Sequence, residues 1–283
     1  MIFNLIQKRT SVRTFQDKPL TAVDNIWIKE ILANISSESG PNGTQVNFRL
    51  LSPDVKGDGG IIGTYGFIRK AQAYIAGTVS NTTSNIEDYG YFLEKIIIKL
   101  VERNIGSCWL GGTFKREDFS NPLGLKDGEL IPAVLPIGYP EENRRTAEKA
   151  MRFFVKADKR RKWTDIFFNS TFNEGLTSGA LKGKYSVLLS AFESVRLSPS
   201  ASNKQPWRLV MDKGNDSVHF YLNEDPKYSS NLGFSMQRLD AGIALYHFEA
   251  AASENGFNGS WLHENPGLEL PSINYKYIKT FSW

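Results

Sequence analysis

Apolar residues recur at spacings of three and four through DYGYFLEKIIIKLVERNIGSCWL (88–110), and again through DAGIALYHFEAAASENGFNGSWL (240–262). Each pattern predicts a long helix with one face buried. An aspartate heads each segment, where a carboxylate suits the positive end of the helix dipole. Asn-Ile-Gly or Asn-Gly closes each as a C-cap would. The two segments align without a gap. Asp88, Gly90, Leu93, Glu102, Trp109 and Leu110 fall opposite Asp240, Gly242, Leu245, Glu254, Trp261 and Leu262. Self-similarity at one fixed offset is the mark of a duplication. A weaker match precedes it: SGPNGTQVNFRLL (39–51) resembles SPSASNKQPWRLV (198–210), each a polar loop, then Gln, an aromatic, Arg and a strand-like run.

The remaining pattern alternates strands with helices. TAVDNIWIKEIL (21–32) opens on a capping pair, Thr21 and Asp24, and has helical apolar spacing. AQAYIAGTV (71–79), IPAVLPIGY (131–139), SVHFYLN (217–223) and INYKYIKTF (273–281) read as strands. Residues 141–184 are polar, basic and turn-rich, and read as the tail of the first copy plus a linker. The expected division is residues 1–170 for the first copy and 171–283 for a shorter second one. GDGGIIG (57–63) is not a dinucleotide fingerprint: its third glycine comes one residue late, and neither a preceding strand nor a following helix frames it. Tyr65, just after it, is placed near any bound ligand by position alone.

Composition narrows the function classes. At 41% hydrophobic and 23% charged residues in 283, the chain is of ordinary globular make-up. A net charge of +4, with basic residues in no stripe among aromatics, argues against nucleic acid. One cysteine, Cys108, excludes an intrachain disulfide and suits a reducing, cytoplasmic setting. Ser260 stands at the matched place in the second copy, so Cys108 reads as a small buried residue rather than a nucleophile. Three isolated histidines argue against a histidine metal site, and no apolar run is long enough to span a membrane. No metal, nucleic-acid or membrane partner is expected.

Three segments carry candidate chemistry. RTSVRTF (9–15) offers two guanidiniums and a hydroxyl, which can converge on a phosphate; the bland reading is a solvated basic segment. GSCWLGGTF (106–114) offers the pair Gly111 and Gly112, which permits close backbone approach to a ligand; the bland reading is a helix cap and a turn. SPSASNKQPW (198–207) offers many small donors and acceptors beside a strand; the bland reading is turn chemistry. Trp207 is expected in the core.

Together these segments, with the strand LPIGYP (135–140), resemble the nitroreductase family of FMN-dependent oxidoreductases over nearly the whole chain, in the branch where two such halves are fused. The resemblance implies an α+β fold, a mostly antiparallel sheet packed between helices, duplicated here as an intramolecular pseudo-dimer. It implies an FMN-dependent NAD(P)H oxidoreductase. Hydride transfer would be ping-pong, from NADH or NADPH to an electron-poor small molecule such as a nitroaromatic or quinone. The matched cofactor-binding positions are Arg9, Thr10, Ser11 and Arg13 for the phosphate and Leu110, Gly111 and Gly112 along the ring. Pro199, Ser200, Ala201 and Asn203, with Gln205 beside them, form the ring loop. An acidic residue common in the family is Gly111 here, and a second serine is Ala201. The basic cluster DKRRKW (158–163) adds Arg160 or Arg161 as a further phosphate partner, or is a solvated linker. The first copy keeps the phosphate motif and the second keeps the ring loop, so one FMN per chain is expected between the copies. The chain would be a monomer with an internal pseudo-dimer or a weak homodimer. No catalytic acid or base is required of the protein. Two alternatives remain open: a flavin carrier or sensor without turnover, and a scaffold that has lost flavin and binds another small molecule.

Overall fold

The computed structural model describes residues 1–53, 67–142, 158–228 and 230–283; the glycine-rich segment 57–63, Tyr65 and residues 143–157 of the expected linker lie outside them. In the first half, α1 (Ile2–Lys8) and α2 (Ala22–Ser36) precede β1 (Arg49–Leu51), β2 (Ala73–Ala76) and β3 (Val79–Ser80). Then come α3 (Thr83–Glu102), β4 (Gly106–Ser107), α4 (Glu117–Leu123), β5 (Glu129–Leu130) and β6 (Leu135–Gly138). In the second half a single turn α5 (Trp163–Ile166), β7 (Phe167–Asn169) and α6 (Leu189–Leu197) precede β8 (Trp207–Asp212) and β9 (Ser217–Asn223). The chain ends with α7 (Met236–Glu254), β10 (Ser260–Leu262) and β11 (Tyr275–Ser282).

The two halves repeat one topology. The first sheet runs β1-β2-β6-β4, all antiparallel. The second runs β8-β9-β11-β10, with β7 added in parallel beside β8. In each, a long helix connects the second strand of the chain to the edge strand that follows it. The fold is therefore α+β and internally duplicated, as expected. The chain joins the second sheet at β7, just before the expected boundary at 170.

The two long helices pack on each other at the pseudo-twofold axis. A Cβ on Gly90 would lie 2.4 Å from the Leu239 carbonyl oxygen, and one on Gly242 would lie 1.8 Å from that of Glu87. Gly90 and Gly242 are matched by the repeat, and so are Glu87 and Leu239. The contact is thus reciprocal, as a twofold interface requires. Glycine is needed at both places because backbone occupies the space a side chain would fill.

The structure corrects the helix starts. Helix α3 begins at Thr83, where the Thr82 hydroxyl accepts the Asn85 N–H, and α7 begins at Met236. Asp88 and Asp240 therefore stand in the second turn, buried, and do not lead their helices. The C-caps hold, with Asn104 and Gly256 in the left-handed region after each helix. Strand β2 is shorter than the pattern 71–79 suggests, because Gly77 turns its N–H to the Tyr89 hydroxyl, 3.2 Å away. Trp207 is in the core of the second half. Among the described residues no helix is long and apolar enough to cross a membrane, and no group of His, Cys, Asp or Glu is placed to hold a metal.

Candidate functional site

Segment 9–16 runs extended along the edge of the first sheet. Val12 N–H donates to Ser107 O at 2.8 Å, Phe15 N–H to Arg69 O at 3.0 Å and Gln16 N–H to Tyr139 O at 2.9 Å. Arg9, Thr10, Ser11 and Arg13 of this segment all line one cavity of about 480 Å³. Arg9 Nε and Arg13 Nη1 are buried there without a hydrogen-bond partner. Behind Arg9 lies the fully buried Glu94, with Oε1 3.8 Å from Arg9 Nε. Glu94 also accepts from Trp109 Nε1 at 2.7 Å and lies 3.0 Å from His247 Nε2. Burial alone would push this carboxyl up, but His247, Arg9 and Trp109 together hold it below its usual range. The group thus ties the phosphate motif, the glycine loop and both long helices together.

The glycine loop forms the next wall. Leu110 and Val134 exchange backbone hydrogen bonds at 3.0 and 2.9 Å, which presents Gly111 and Gly112 to the cavity. A side chain at Gly111 would meet the Met236 methyl at 2.7 Å.

The opposite wall is the loop of the second half. Pro199, Ser200, Ala201, Ser202 and Asn203 all line the cavity. Its backbone is strained: Ser202, Asn203 and Gln205 have φ of 49°, 54° and 51°, a region that residues with a Cβ avoid. Side chains hold it there. Ser200 Oγ accepts the Gln205 N–H at 2.9 Å, and Asn203 Oδ1 accepts from Arg160 Nη1 at 3.3 Å. Ser202 Oγ lies 2.9 Å from the Tyr228 hydroxyl, and Arg160 Nη2 donates to Leu197 O at 3.2 Å. From below, Asp240 Oδ1 accepts the Ala201 N–H at 3.0 Å, while its Oδ2 is buried without a partner. Burial raises this carboxyl to about 8, with the Ala201 hydrogen bond opposing, so it is mainly protonated at pH 7.

Of the expected site residues, the cavity brings together Arg9, Thr10, Ser11, Arg13, Leu110, Gly111, Gly112, Arg160, Pro199, Ser200, Ala201 and Asn203. It does not include Arg161 or Gln205. Arg160 is thereby distinguished from its neighbour. Gln205 faces away: its Oε1 accepts the Arg161 N–H at 2.8 Å and its amide donates to Lys159 O at 3.2 Å. Sequence reasoning missed Glu94, Tyr228, Met236 and the role of Asp240 as a wall. The signal for Asp240 was present, as a lone carboxylate inside the apolar run LDAGIAL.

At the pseudo-equivalent position in the first half the loop is closed. Both oxygens of Asp88 are taken, by the Asn42 N–H at 3.0 and 3.1 Å and the Thr44 N–H at 2.9 Å. A Cβ on Gly40 would come within 2.5 Å of the Asp88 carboxyl carbon.

The family model described as "Putative TM nitroreductase" matches residues 1–252. A solved structure from Thermotoga maritima, described as a putative nitroreductase, has the same fold: TM-score 0.62, 17% identity, covering 99% of this chain and 92% of its own. A nitroreductase family protein from Clostridium novyi NT has a TM-score of 0.40 and 17% identity, covering 50% of this chain and 86% of its own. An FMN-dependent nitroreductase from Clostridium difficile R20291 has a TM-score of 0.39 and 18% identity, covering 51% and 90%. A search of the curated proteins returns no match.

Proposed function

The chain belongs to this nitroreductase family, and on that premise we propose that it is an FMN-dependent NAD(P)H oxidoreductase holding one FMN per chain between its two halves. The carrying observation is convergence. Phosphate-type donors from the first half and the polar loop of the second line the same cavity, and Arg13 has a buried guanidinium nitrogen there with no hydrogen-bond partner. An orphaned charged donor is costly unless something accepts from it. A phosphate monoester, with several acceptor oxygens and nearly two charges, is the group that fits. The cavity volume is within the range of about 300–1,000 Å³ usual for cofactor sites.

In this reading Arg9 and Arg13 grip the phosphate, Ser11 adds its hydroxyl, and Glu94 holds Arg9 from behind. Gly111 and Gly112 give backbone close to the ring. Residues 199–203 meet its polar edge, and Arg160 braces that loop. The protonated Asp240 supports Ala201 without placing a negative charge beside the ring. When bound, the flavin supplies the two-electron redox chemistry, and the protein supplies position and electrostatics. The electron acceptor is an electron-poor small molecule such as a nitroaromatic or quinone, and the working compartment is the reducing cytoplasm. The domain division follows the copies, 1–170 and 171–283, with β7 crossing to the second sheet.

The test is a visible absorption spectrum before and after soaking in excess FMN and desalting. One equivalent of flavin per chain, bleached by NADH or NADPH, is the expected result. Two equivalents would refute the single hybrid site. No retained flavin would refute the cofactor assignment, and retained flavin that neither nucleotide bleaches would point to a carrier.

A further inference from the structure

The two expected site residues that the first cavity lacks, Arg161 and Gln205, both line a second one of about 690 Å³. The cavities share Arg160, Ser202 and Asn203 as a common wall. Five cations and two carboxylates line the second cavity. The carboxylates are already engaged: Asp225 with Lys204 at 2.9 Å, and Glu224 with Arg238 at 2.9 Å. Arg160 is engaged with the loop. Lys159, Arg161 and Arg208 remain as excess positive charge.

Arg208 is the unusual member. It is only 5% exposed, on the face of β8 opposite the core residues Trp207 and Leu209. Among the described residues no carboxylate lies within ion-pairing distance of it. Its Nη1 donates to Gln205 O at 3.0 Å and to Trp207 O at 2.6 Å, while its Nε is buried without a partner. Burial disfavours its charge and the neighbouring Arg161 adds to that, with Tyr275 and Asp165 opposing. A buried guanidinium without a counter-ion is costly, and a second cation nearby makes it more so. An anion brought to the cavity relieves both.

We propose that this second cavity is an anion site for a phosphate dianion, with Arg208 at its floor and Arg161 and Lys159 at its rim. Guanidiniums suit phosphate because their forked donors match its oxygens, and three cations with no carboxylate in ion-pairing contact among the described residues suit two charges better than one. The assignment stands without flavin. Placing a phosphate of the nicotinamide dinucleotide here, and hence a preference for the 2′-phosphorylated form, rests on the function proposed above.

The test is calorimetric titration of flavin-free protein with 2′-phospho-ADP-ribose, ADP-ribose and inorganic phosphate. We expect 2′-phospho-ADP-ribose to bind at least about 10-fold more tightly than ADP-ribose. Arg161→Ala, at an exposed position, weakens it about 5–10-fold, and Arg208→Gln weakens it further. Arg13→Gln, in the first cavity, removes only what enters the emptied flavin site and leaves the Arg161-dependent binding in place. If inorganic phosphate binds as tightly as the nucleotide and shows the same Arg161 dependence, the site takes free phosphate by the same chemistry. Affinity unaffected by Arg161→Ala, or lost equally with Arg13→Gln, overturns the proposal, as does the absence of phosphate-dependent binding. Because no flavin is present, none of these results depends on whether FMN binds.

Discussion

Asp240 gives the sharpest prediction about stability. Its carboxyl is 3% exposed, has one hydrogen bond and is raised from 3.8 to about 8 by burial. A group whose folded pKa exceeds its unfolded value stabilises fully below the unfolded pKa and loses that contribution as pH rises through the folded one. Between about pH 4 and 8 the folded state holds a proton that the unfolded state has released. Stability should then fall by about 1.4 kcal/mol per pH unit on account of this residue. At pH 7 the accumulated cost is roughly 4 kcal/mol relative to pH 4. Asp240→Asn keeps an oxygen for the Ala201 N–H and cannot ionise. Its amide inherits the orphaned position of Oδ2, at about 1–3 kcal/mol, much of which the protonated wild type bears too.

The variant should therefore match the wild type within about 1–2 kcal/mol at pH 4 and exceed it by about 2–4 kcal/mol at pH 7. The assay is urea unfolding of flavin-free protein at several pH values between 4 and 8, read as the difference between the two proteins. Taking the difference cancels carboxylates with the opposite linkage, such as Asp24, which Tyr139, Thr21 and Arg103 hold low against the effect of burial. A difference that does not change with pH would refute the reasoning, because it would mean that Asp240 titrates normally in the folded protein.

Three further outcomes are expected. Arg13→Gln should weaken FMN binding about 10- to 100-fold, as loss of a charged hydrogen bond does, and leave riboflavin nearly untouched; an equal loss for both in a fluorescence titration would show that Arg13 does not meet the phosphate. Gly242→Ala forces a Cβ to 1.8 Å from the Glu87 carbonyl, so it should cost about 3 kcal/mol or more or abolish folding, whereas Gly179→Ala meets nothing within 4 Å and serves as the control in the same melting experiment. Thr21→Ala removes the hydroxyl that accepts the Asp24 N–H at 3.1 Å and should cost about 1 kcal/mol; an unchanged melting temperature would show that the cap contributes nothing.

What could be read from the sequence follows from how local each feature is. Arg9, Ser11 and Arg13 are legible because they fall together in one short segment, and all three line the cavity. Gly90 and Gly242 are legible because the repeat pairs them, although only the structure shows that each receives the other helix's backbone. The pattern places Asp88 and Asp240 at helix starts because the residues ahead of them look like loop, whereas those residues form the first turn of α3 and α7. Proximity in sequence places Gln205 in the ring loop. Its left-handed backbone turns the side chain to the other cavity, and no spacing rule carries that information. Glu94 was invisible because its partners, Arg9, Trp109 and His247, come from three separate elements.

The contrast between Asp88 and Asp240 explains how, among the described residues, one half opens its loop onto the first cavity while the matched loop of the other half is closed. Both are buried carboxyls in the second turn of the pseudo-symmetric helices. In the first half the loop 40–44 supplies N–H groups to both Asp88 oxygens and closes over it. In the second half, among the described residues, Ala201 alone donates to Asp240, and the loop stands away, held open by Arg160, Tyr228 and its own side chains. The open loop costs backbone strain at three residues and leaves an orphaned oxygen. Such costs persist where the surroundings fix them. Here the surroundings include Arg160, from the tail of the first copy. The open loop thus depends on chain from the other half, and each half contributes a part that the other lacks. Fusion makes that division workable, since the two parts are always present in one polypeptide. A homodimer of either half alone would hold two phosphate motifs or two ring loops, and no cavity with both.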